Sequence, residues 1–230
     1  MKAKVTAIVL AAGKGSRMNS DVPKQYLTLL GKPVLFYSLN AFEESDVDEI
    51  ILVTGSGEQE YCKKEIVEKY QFNKVTHIVE GGAERYHSVH NGLLSAKDVE
   101  YVLIHDGARP LISVEVINKA IENVKKTDAC VVGMPVKDTI QIVDNDGAIE
   151  STPDRRRTWI AQTPQCFSFE LALSSYNKAI ESRDASITDD AMVVRKYGNA
   201  SVMMLEGGYE NIKVTTPEDI PMAECFLKMR

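Results

Sequence analysis

The chain has 230 residues, of which 44% are hydrophobic and 26% charged, a balance typical of a globular protein with one large core. Its formal net charge of -6 argues against a protein that coats nucleic acid or an anionic membrane, so an anionic substrate needs a local cluster of cations. Four scattered cysteines argue against a disulfide framework or zinc site, and no apolar run suits a signal peptide or membrane span, so we expect a cytoplasmic protein.

Short β-branched runs alternate with amphipathic stretches along the first 136 residues. This alternation predicts an α/β fold, in which a mostly parallel sheet is covered by helices on both faces. The predicted strands are Val5–Leu10, Glu49–Thr54, Val75–Val79, Tyr101–His105 and Ala129–Val136. The predicted helices between them are Pro33–Phe42, Gln59–Tyr70, Glu84–Ala96 and Val114–Lys126.

The pattern changes after residue 136. Thr139–Val143 and Ala148–Ser151 flank Asp144-Asn145-Asp146-Gly147, a strong hairpin turn. This predicts a β-arm, residues 137–157, inserted into a single domain that spans residues 1–230. The α/β pattern then resumes, and the predicted elements are a strand at Trp159–Gln162, helices near Glu170–Ile180 and Asp189–Tyr197, strands at Ser201–Leu205 and Asn211–Val214, and a last helix with Thr216 as N-cap, Pro217 in its first position and Asp219 as capping partner.

The loop after the first strand has the composition of a phosphate-binding site. Gly13 and Gly15 let the backbone approach a ligand, and Lys14, Arg17 and Lys24 add three positive charges. Triphosphate chemistry needs such charges, because negative charge on the phosphate oxygens must be neutralised as pyrophosphate leaves. The spacing excludes a Walker loop and a dinucleotide fingerprint. The alternative is a tight turn with solvated lysines, which the two glycines alone would favour. Arg17 and Lys24 in addition favour phosphate binding.

The residues A-A-G-x-G-x-R-M followed by P-K-Q resemble the opening of the sugar-phosphate nucleotidyltransferases. Six further motifs, in order and across nearly the whole chain, narrow the resemblance to the 2-C-methyl-D-erythritol 4-phosphate cytidylyltransferase family of the non-mevalonate isoprenoid pathway. They are Gly81-Gly82-Ala83-Glu84-Arg85 with Ser88, His105–Pro110, Pro135–Thr139, Ala161–Gln165, Ile187–Ala191 and Asn211–Thr215.

The resemblance implies a three-layer α/β/α Rossmann-like fold with a protruding β-hairpin arm, and transfer of CMP from CTP to a sugar-alcohol phosphate. It implies nucleotide contacts from Ala11, Ala12, Gly13, Lys14, Gly15, Gly81, Gly82, Arg85, Ser88, Asp106 and Gly107. The implied catalytic residues are Arg17, Lys24 and Lys213, and the implied acceptor-binding residues are Arg109, Thr139, Arg155, Thr163 and Thr188. Further implications are Mg²⁺ or another divalent cation at Asp106, and a homodimer that forms through the arm, with no nucleic-acid or membrane partner.

Several of these residues have a second interpretation. Asp106 could cap the turn before Pro110 instead of binding metal, and Arg109 could pair with Asp106 instead of the acceptor phosphate. Lys213, between two apolar residues, is typical of a solvated edge strand. Thr188 also suits a helix N-cap. Arg156 and Arg157 compete with Arg155 for the acceptor phosphate.

Two rival functions follow from the same sequence. A ribitol 5-phosphate cytidylyltransferase shares the opening loop and the H-D-x-x-R-P and N-I-K elements, but Val136–Thr139 and Ile187–Ala191 fit the methylerythritol family better. A non-enzymatic nucleotide-binding regulator would keep the glycine-rich loop yet could dispense with Lys24 and Lys213, and both are present.

Overall fold

A computed structural model describes residues 3–13, 15–18, 20, 22–184 and 186–230. The strands are β1 (Val5–Ala11), β2 (Thr28–Leu29), β3 (Lys32–Pro33), β4 (Glu49–Thr54), β5 (Val75–Glu80), β6 (Tyr101–Asp106), β7 (Ala129–Pro135), β8 (Ile142–Val143), β9 (Ile149–Ser151), β10 (Trp159–Ser168) and β11 (Met203–Glu206). The helices are α1 (Val34–Glu44), α2 (Gln59–Tyr61), which continues as the π-helical turn Cys62–Glu68, α3 (Arg85–Ser95), α4 (Val114–Thr127), α5 (Phe169–Ser182), α6 (Asp190–Tyr197) and α7 (Asp219–Lys228). Short 3₁₀ turns cover Ser16–Met18, Lys24–Tyr26 and Arg155–Arg157.

Within the described ranges, the central sheet has seven strands in the order β11-β7-β10-β6-β1-β4-β5. All neighbouring pairs are parallel except those of β10, which runs antiparallel to β6 and β7. The predicted mostly parallel sheet is therefore confirmed. The register pairs Leu10 with Asp106 and Ala11 with Thr54, so the carboxyl ends of β1, β4 and β6 lie side by side.

Helices cover both faces of this sheet. Successive residues of β1 point to opposite faces, because side chains alternate along a strand. Ala7 and Val9 pack in one buried cluster with apolar residues of α1 and α4, whereas Ile8 packs in the other with α3, α5 and α6. The arrangement is the predicted three-layer α/β/α fold. No helix of the described part of the chain is long and apolar enough to span a membrane.

The predicted hairpin turn is confirmed at residues 144–147. Asp144 N–H donates to Ala148 O, and the Asp144 side chain accepts from Asp146 N–H and Ala148 N–H at 3.0 and 2.9 Å. Gly147 has φ +84°, a left-handed conformation that favours glycine. The paired strands β8 and β9 are shorter than predicted, and Ile142, Val143 and Ile149 are exposed.

Three element predictions at the carboxyl-terminal side are wrong. Residues 211–214 form no strand, since the segment is held by side-chain bonds and by Val214 N–H, which donates to Ala108 O at 2.8 Å. The last helix begins at Asp219 and not at the predicted Pro217, although the predicted pairing is confirmed, since the Asp219 carboxylate accepts from the Thr216 N–H at 2.8 Å in the preceding turn. Strand β10 continues to Ser168, past the predicted end at Gln162, with a register shift between Ala161 and Gln165.

Candidate active site

A cavity of about 850 Å³ opens at the carboxyl ends of β1, β4 and β6. Ligands of open α/β sheets bind at this edge, so the cavity is the candidate active site. Among the residues predicted from the sequence, those that line it are Ala11, Ala12, Gly13, Lys24, Gly81, Gly82, Arg85, Ser88, Asp106 and Lys213.

The remaining predicted residues lie outside the lining of this cavity. They are Gly15, Arg17, Gly107, Arg109, Thr139, Arg155, Thr163 and Thr188. Lys14 lies outside the described residues. The structure therefore brings together most of the predicted nucleotide-binding residues and two of the three predicted catalytic cations, but not the predicted acceptor-binding residues.

Small residues bring two walls of the cavity into contact. A Cβ on Gly81 would lie 2.5 Å from the Ala12 Cβ and 2.8 Å from the Ser88 Oγ, so only glycine fits there. The Ser88 hydroxyl accepts from the Gly82 N–H at 3.0 Å and ties this loop to α3. The loop after β1 and the loop before α3 thus form a narrow cleft whose walls are largely backbone.

Asp106 is the centre of the site's electrostatics. Its Oδ2 lies 2.7 Å from Lys213 Nζ and 3.9 Å from Arg109 Nε, and its Oδ1 lies 3.2 Å from Arg85 Nε. Burial alone would raise the pKa of this carboxyl, but the positive charges of Arg85 and Lys213 hold it well below its usual range. Asp106 is therefore a carboxylate at any physiological pH.

Lys24 is a further cation of the cavity lining. Its pKa is lowered from 10.5 to about 8, chiefly by burial and next by the charge of Lys213. The turn that carries it is anchored on both sides. Gln25 Nε2 donates to Ala11 O at 2.6 Å, and the Tyr26 hydroxyl donates to Glu58 Oε2 at 2.7 Å.

The segment that carries Lys213 is fastened to β10 by a buried amide. Asn211 Nδ2 donates to Gln162 Oε1 at 3.1 Å and to Thr163 O at 3.0 Å. The motifs Ala161–Gln165 and Asn211–Thr215, far apart in sequence, thus meet. Their residues Gln162 and Asn211 position a lysine at the cavity.

Arg109 and Thr163 face the interior behind Asp106. Arg109 Nη1 donates to Asn211 O at 2.8 Å, which places its guanidinium against the Lys213 segment and Asp106. The Thr163 hydroxyl accepts from the Asp106 N–H at 3.1 Å and contacts His105 Nδ1 at 3.0 Å. Burial lowers the pKa of His105 to about 3, so this imidazole is neutral. Arg109 thus lies beside Asp106, and its contact with the acceptor phosphate stays a prediction.

The arm and the loop before α6 carry the other acceptor-binding candidates. Arg155 and Thr139 are exposed, and Arg155 Nη1 donates to Lys137 O at 3.3 Å. Thr188 is also exposed. The N-cap of α6 is Asp189, whose carboxylate accepts from the Met192 N–H at 3.2 Å. The roles of Thr139, Arg155 and Thr188 stay predictions.

Sequence reasoning missed several residues of the site. Glu58, Glu80 and Glu84 line the cavity and add carboxylates to its outer wall. Asp190 lies buried behind Arg85 and accepts both of its Nη groups. The repeated acid in Ile187–Ala191 was a signal for Asp190, but its partner depends on the packing of α6 against α3, which the sequence does not show.

The candidate ligands for a divalent cation are the carboxylates of the cavity. No group of three or more His, Cys, Asp or Glu side chains able to hold a metal occurs among the described residues. Mg²⁺ bound to a nucleotide commonly takes only one or two protein carboxylates, with phosphate and water oxygens as its other ligands. Asp106, ionised and lining the cavity, fits that requirement.

Comparison with known proteins identifies the family. The family model that describes 2-C-methyl-D-erythritol 4-phosphate cytidylyltransferase (IspD) matches residues 5–229. The chain belongs to this family. The protein of that name from Lachnoclostridium phytofermentans is 52% identical over 225 residues, which cover 98% of this chain and 97% of the relative. The one from Caldanaerobacter subterraneus is 48% identical over 226 residues, which cover 97% and 99% of the two chains.

A solved structure agrees with this assignment. The crystal structure of 4-diphosphocytidyl-2C-methyl-D-erythritol synthase from Anaerococcus prevotii superposes with a TM-score of 0.86 at 34% identity, over 98% of this chain and 96% of that one. Membership of the cytidylyltransferase family makes the chain an enzyme and confirms the predicted α/β nucleotidyltransferase fold. The regulator without turnover is therefore not favoured.

Proposed function

We propose that this enzyme transfers CMP from CTP to 2-C-methyl-D-erythritol 4-phosphate and releases pyrophosphate. The observation that carries the proposal is the cavity at the carboxyl ends of β1, β4 and β6, which is lined by Lys24, Lys213 and an ionised Asp106 that pairs with Lys213. The full-length match to the cytidylyltransferase family supports the assignment of both substrates. The product is 4-diphosphocytidyl-2-C-methyl-D-erythritol, an intermediate of isoprenoid precursor biosynthesis.

The reaction needs positioning and charge, not a covalent intermediate. An oxygen of the acceptor phosphate attacks the α-phosphorus of CTP, and the bond from that phosphorus to the oxygen of the β-phosphate breaks on the opposite side. The acceptor phosphate is already ionised, so no general base is required. Lys24, Lys213 and Arg17 stabilise the negative charge that accumulates on the phosphate oxygens.

The base of the nucleotide belongs in the cleft between the two glycine-rich loops. Ala12 and Gly81 stand in close contact where the two loops meet, so the surface beside this contact is formed by backbone groups and small side chains. Ala11, Gly13, Gly15, Gly82, Ser88 and Gly107 complete the small-residue surface assigned to the nucleotide. Backbone groups that accept the cytosine amino group would be left unpaired by uracil, so the cleft selects CTP.

Asp106 is the residue that would hold a divalent cation, with Mg²⁺ as the expected ion. When bound, such an ion neutralises charge on the triphosphate oxygens. Lys213 already contacts one oxygen of Asp106, so this pair orients the carboxylate toward the cavity.

The acceptor side is completed by a second copy of the chain. Arg155 and Thr139 lie on an exposed arm outside the cavity lining, and the apolar residues of the arm have no cover within the described parts of one subunit. We assign the arm, residues 137–157, to dimerisation, with its Arg155 and Thr139 serving the neighbour's site. The acceptor contacts of Arg109, Thr163 and Thr188, and the cytoplasmic location, belong to the same proposal.

The function is tested by measuring pyrophosphate release from each of the four ribonucleoside triphosphates with methylerythritol 4-phosphate. CTP should be turned over far faster than UTP or the purine nucleotides, and EDTA should abolish the activity until Mg²⁺ is restored.

Lys24→Ala should lower kcat by roughly two to three orders of magnitude, as for loss of one transition-state contact. Lys125→Ala, at an exposed lysine of α4, is the matched control and should leave the rate unchanged. Turnover of UTP by the wild-type enzyme at the same rate as CTP would contradict the proposal.

A further inference from the structure

A carboxylate outside the cavity lining holds the arginine that contacts Asp106. Asp190 is fully buried in the first turn of α6. Its two oxygens accept from Nη1 and Nη2 of Arg85 at 2.5 and 2.8 Å, which makes a bidentate pair. The hydroxyl of Tyr176, fully buried on α5, donates to the same carboxylate at 2.5 Å. Asp190 is thus fixed from both sides.

Arg85 connects this buried carboxylate with the one in the cavity. Its Nη fork is directed to Asp190, and only its Nε reaches Asp106 Oδ1, at 3.2 Å. The guanidinium is planar, and the edge formed by its two Nη groups can be shared with only one carboxylate at a time. The other oxygen of Asp106 is therefore left to Lys213, 2.7 Å away.

The position of Asp190 is fixed by the sheet as well as by its own pair. Gln165 of β10 accepts from the Ala191 N–H at 2.8 Å and donates to Asp189 at 2.5 Å. The first turn of α6 is therefore attached to β10. This strand lies beside β6, and Asp106 is the last residue of β6. These bonds restrict movement of α6 relative to the cavity, so Asp190 can hold Arg85 in a fixed position.

We propose that Asp190 is a positioning residue of the transferase site. By engaging the Nη fork of Arg85, it prevents Arg85 from closing on Asp106 in a bidentate pair, and so keeps Asp106 available to Lys213. The inference rests on the proposed function, since the charge of Lys213 matters there for phosphoryl transfer. Without Asp190, the Arg85 fork turns to Asp106, and Lys213 loses the partner that orients it.

The primary test is Asp190→Asn, which keeps the shape of the side chain and removes its charge. We expect kcat, per folded protein measured by circular dichroism, to fall roughly 10–100-fold, as when an outer-shell partner of an active-site group is lost. Glu49→Gln is the matched control. Glu49 is a buried acid bonded to Thr6 and Lys4 at the amino end of β4, away from the cavity, so its replacement should lower stability without changing kcat.

A second variant distinguishes a positioning role of Asp190 from a loss of kcat caused by general disruption of the structure. In Asp190→Asn/Arg85→Gln the arginine can no longer capture Asp106, so kcat at saturating CTP should equal or exceed that of Asp190→Asn alone. Independent structural defects would instead multiply and lower it further. A kcat of the double variant below that of Asp190→Asn would overturn the inference, and so would an unchanged kcat in folded Asp190→Asn.

A crystal structure of Asp190→Asn provides a readout that does not depend on activity. It should show both Nη groups of Arg85 on Asp106, with Lys213 displaced. An Arg85 that still contacts Asp106 only through Nε would contradict the proposal. If the wild-type enzyme itself fails to transfer CMP, the proposed function fails, and the crystal structure still decides the position of Arg85.

Discussion

Among single residues, Lys24 is the one that links the site most directly to pH. Its pKa is lowered to about 8, so its positive charge is lost as the pH rises through that value. The ratio kcat/KM reports ionisations of the free enzyme. Since the cation is the useful form, kcat/KM for CTP should be constant at neutral pH and fall above about pH 8, which a pH series of initial rates measures.

The matched variant for this prediction is Lys24→Arg. A guanidinium stays protonated throughout this range, so the alkaline fall should disappear, even if the absolute rate is lower. A wild-type profile that stays flat to pH 10 would show that Lys24 does not need its charge or does not have the lowered pKa.

Residue type and position predicted phosphate binding for Lys24 and metal binding for Asp106, whereas Lys213 was assigned to the phosphates only by the family resemblance. The structure places all three at one cavity. The sequence could not reveal that Asp190 holds Arg85, because the two residues are 105 positions apart and meet only in the folded chain. A buried ion pair leaves little local pattern in a sequence.

Among the structural elements, the segment 211–215 depends on one buried side chain. Asn211→Ala would remove two hydrogen bonds and leave their acceptors on Gln162 and Thr163 buried. The expected cost is about 1–3 kcal/mol in the free energy of unfolding, measured with denaturant. Because Lys213 lies two residues away, kcat should fall as well.

Asn40→Ala serves as the control for this prediction. Asn40 donates to Glu44 on the exposed side of α1, so both its stability and its rate should stay near those of the wild type. An Asn211→Ala enzyme that loses stability but keeps its full kcat would show that other contacts position Lys213.

The parallel strands were predicted within a residue or two because apolar β-branched runs dominate them locally. The sequence predicts β10 only as far as Gln162, and Pro164, which lacks a backbone N–H, is unusual inside a central strand. In the structure, the strand passes this proline by a register shift. The alternation of residues 211–214 predicts a strand, but side-chain bonds of Asn211 and the bond from Val214 N–H to Ala108 O hold the segment in place of a strand ladder.

For the whole molecule, the arm is the feature whose proposed function depends on a second subunit. If the arm of one subunit completes the site of the other, Lys24→Ala and Arg155→Ala proteins should each be nearly inactive when the acceptor is limiting. A mixed dimer has one site with both wild-type residues. Random reassembly of an equal mixture should therefore restore about a quarter of the wild-type activity, since half the dimers are mixed and each has one intact site.

Subunit exchange in this mixture must be verified by native mass spectrometry. Exchange without any return of activity would show that the arm serves its own subunit, and would remove Arg155 and Thr139 from the neighbour's site. The exposed apolar residues Ile142, Val143 and Ile149 would then need another explanation.

The identity of the acceptor is the central claim, and a competition in one vessel tests it most directly. Equal concentrations of methylerythritol 4-phosphate and ribitol 5-phosphate compete for the enzyme with CTP and Mg²⁺, and mass spectrometry gives the initial ratio of the two products. That ratio equals the ratio of the two kcat/KM values. We predict a product mixture dominated by 4-diphosphocytidyl-2-C-methyl-D-erythritol. A mixture dominated by CDP-ribitol would contradict the account.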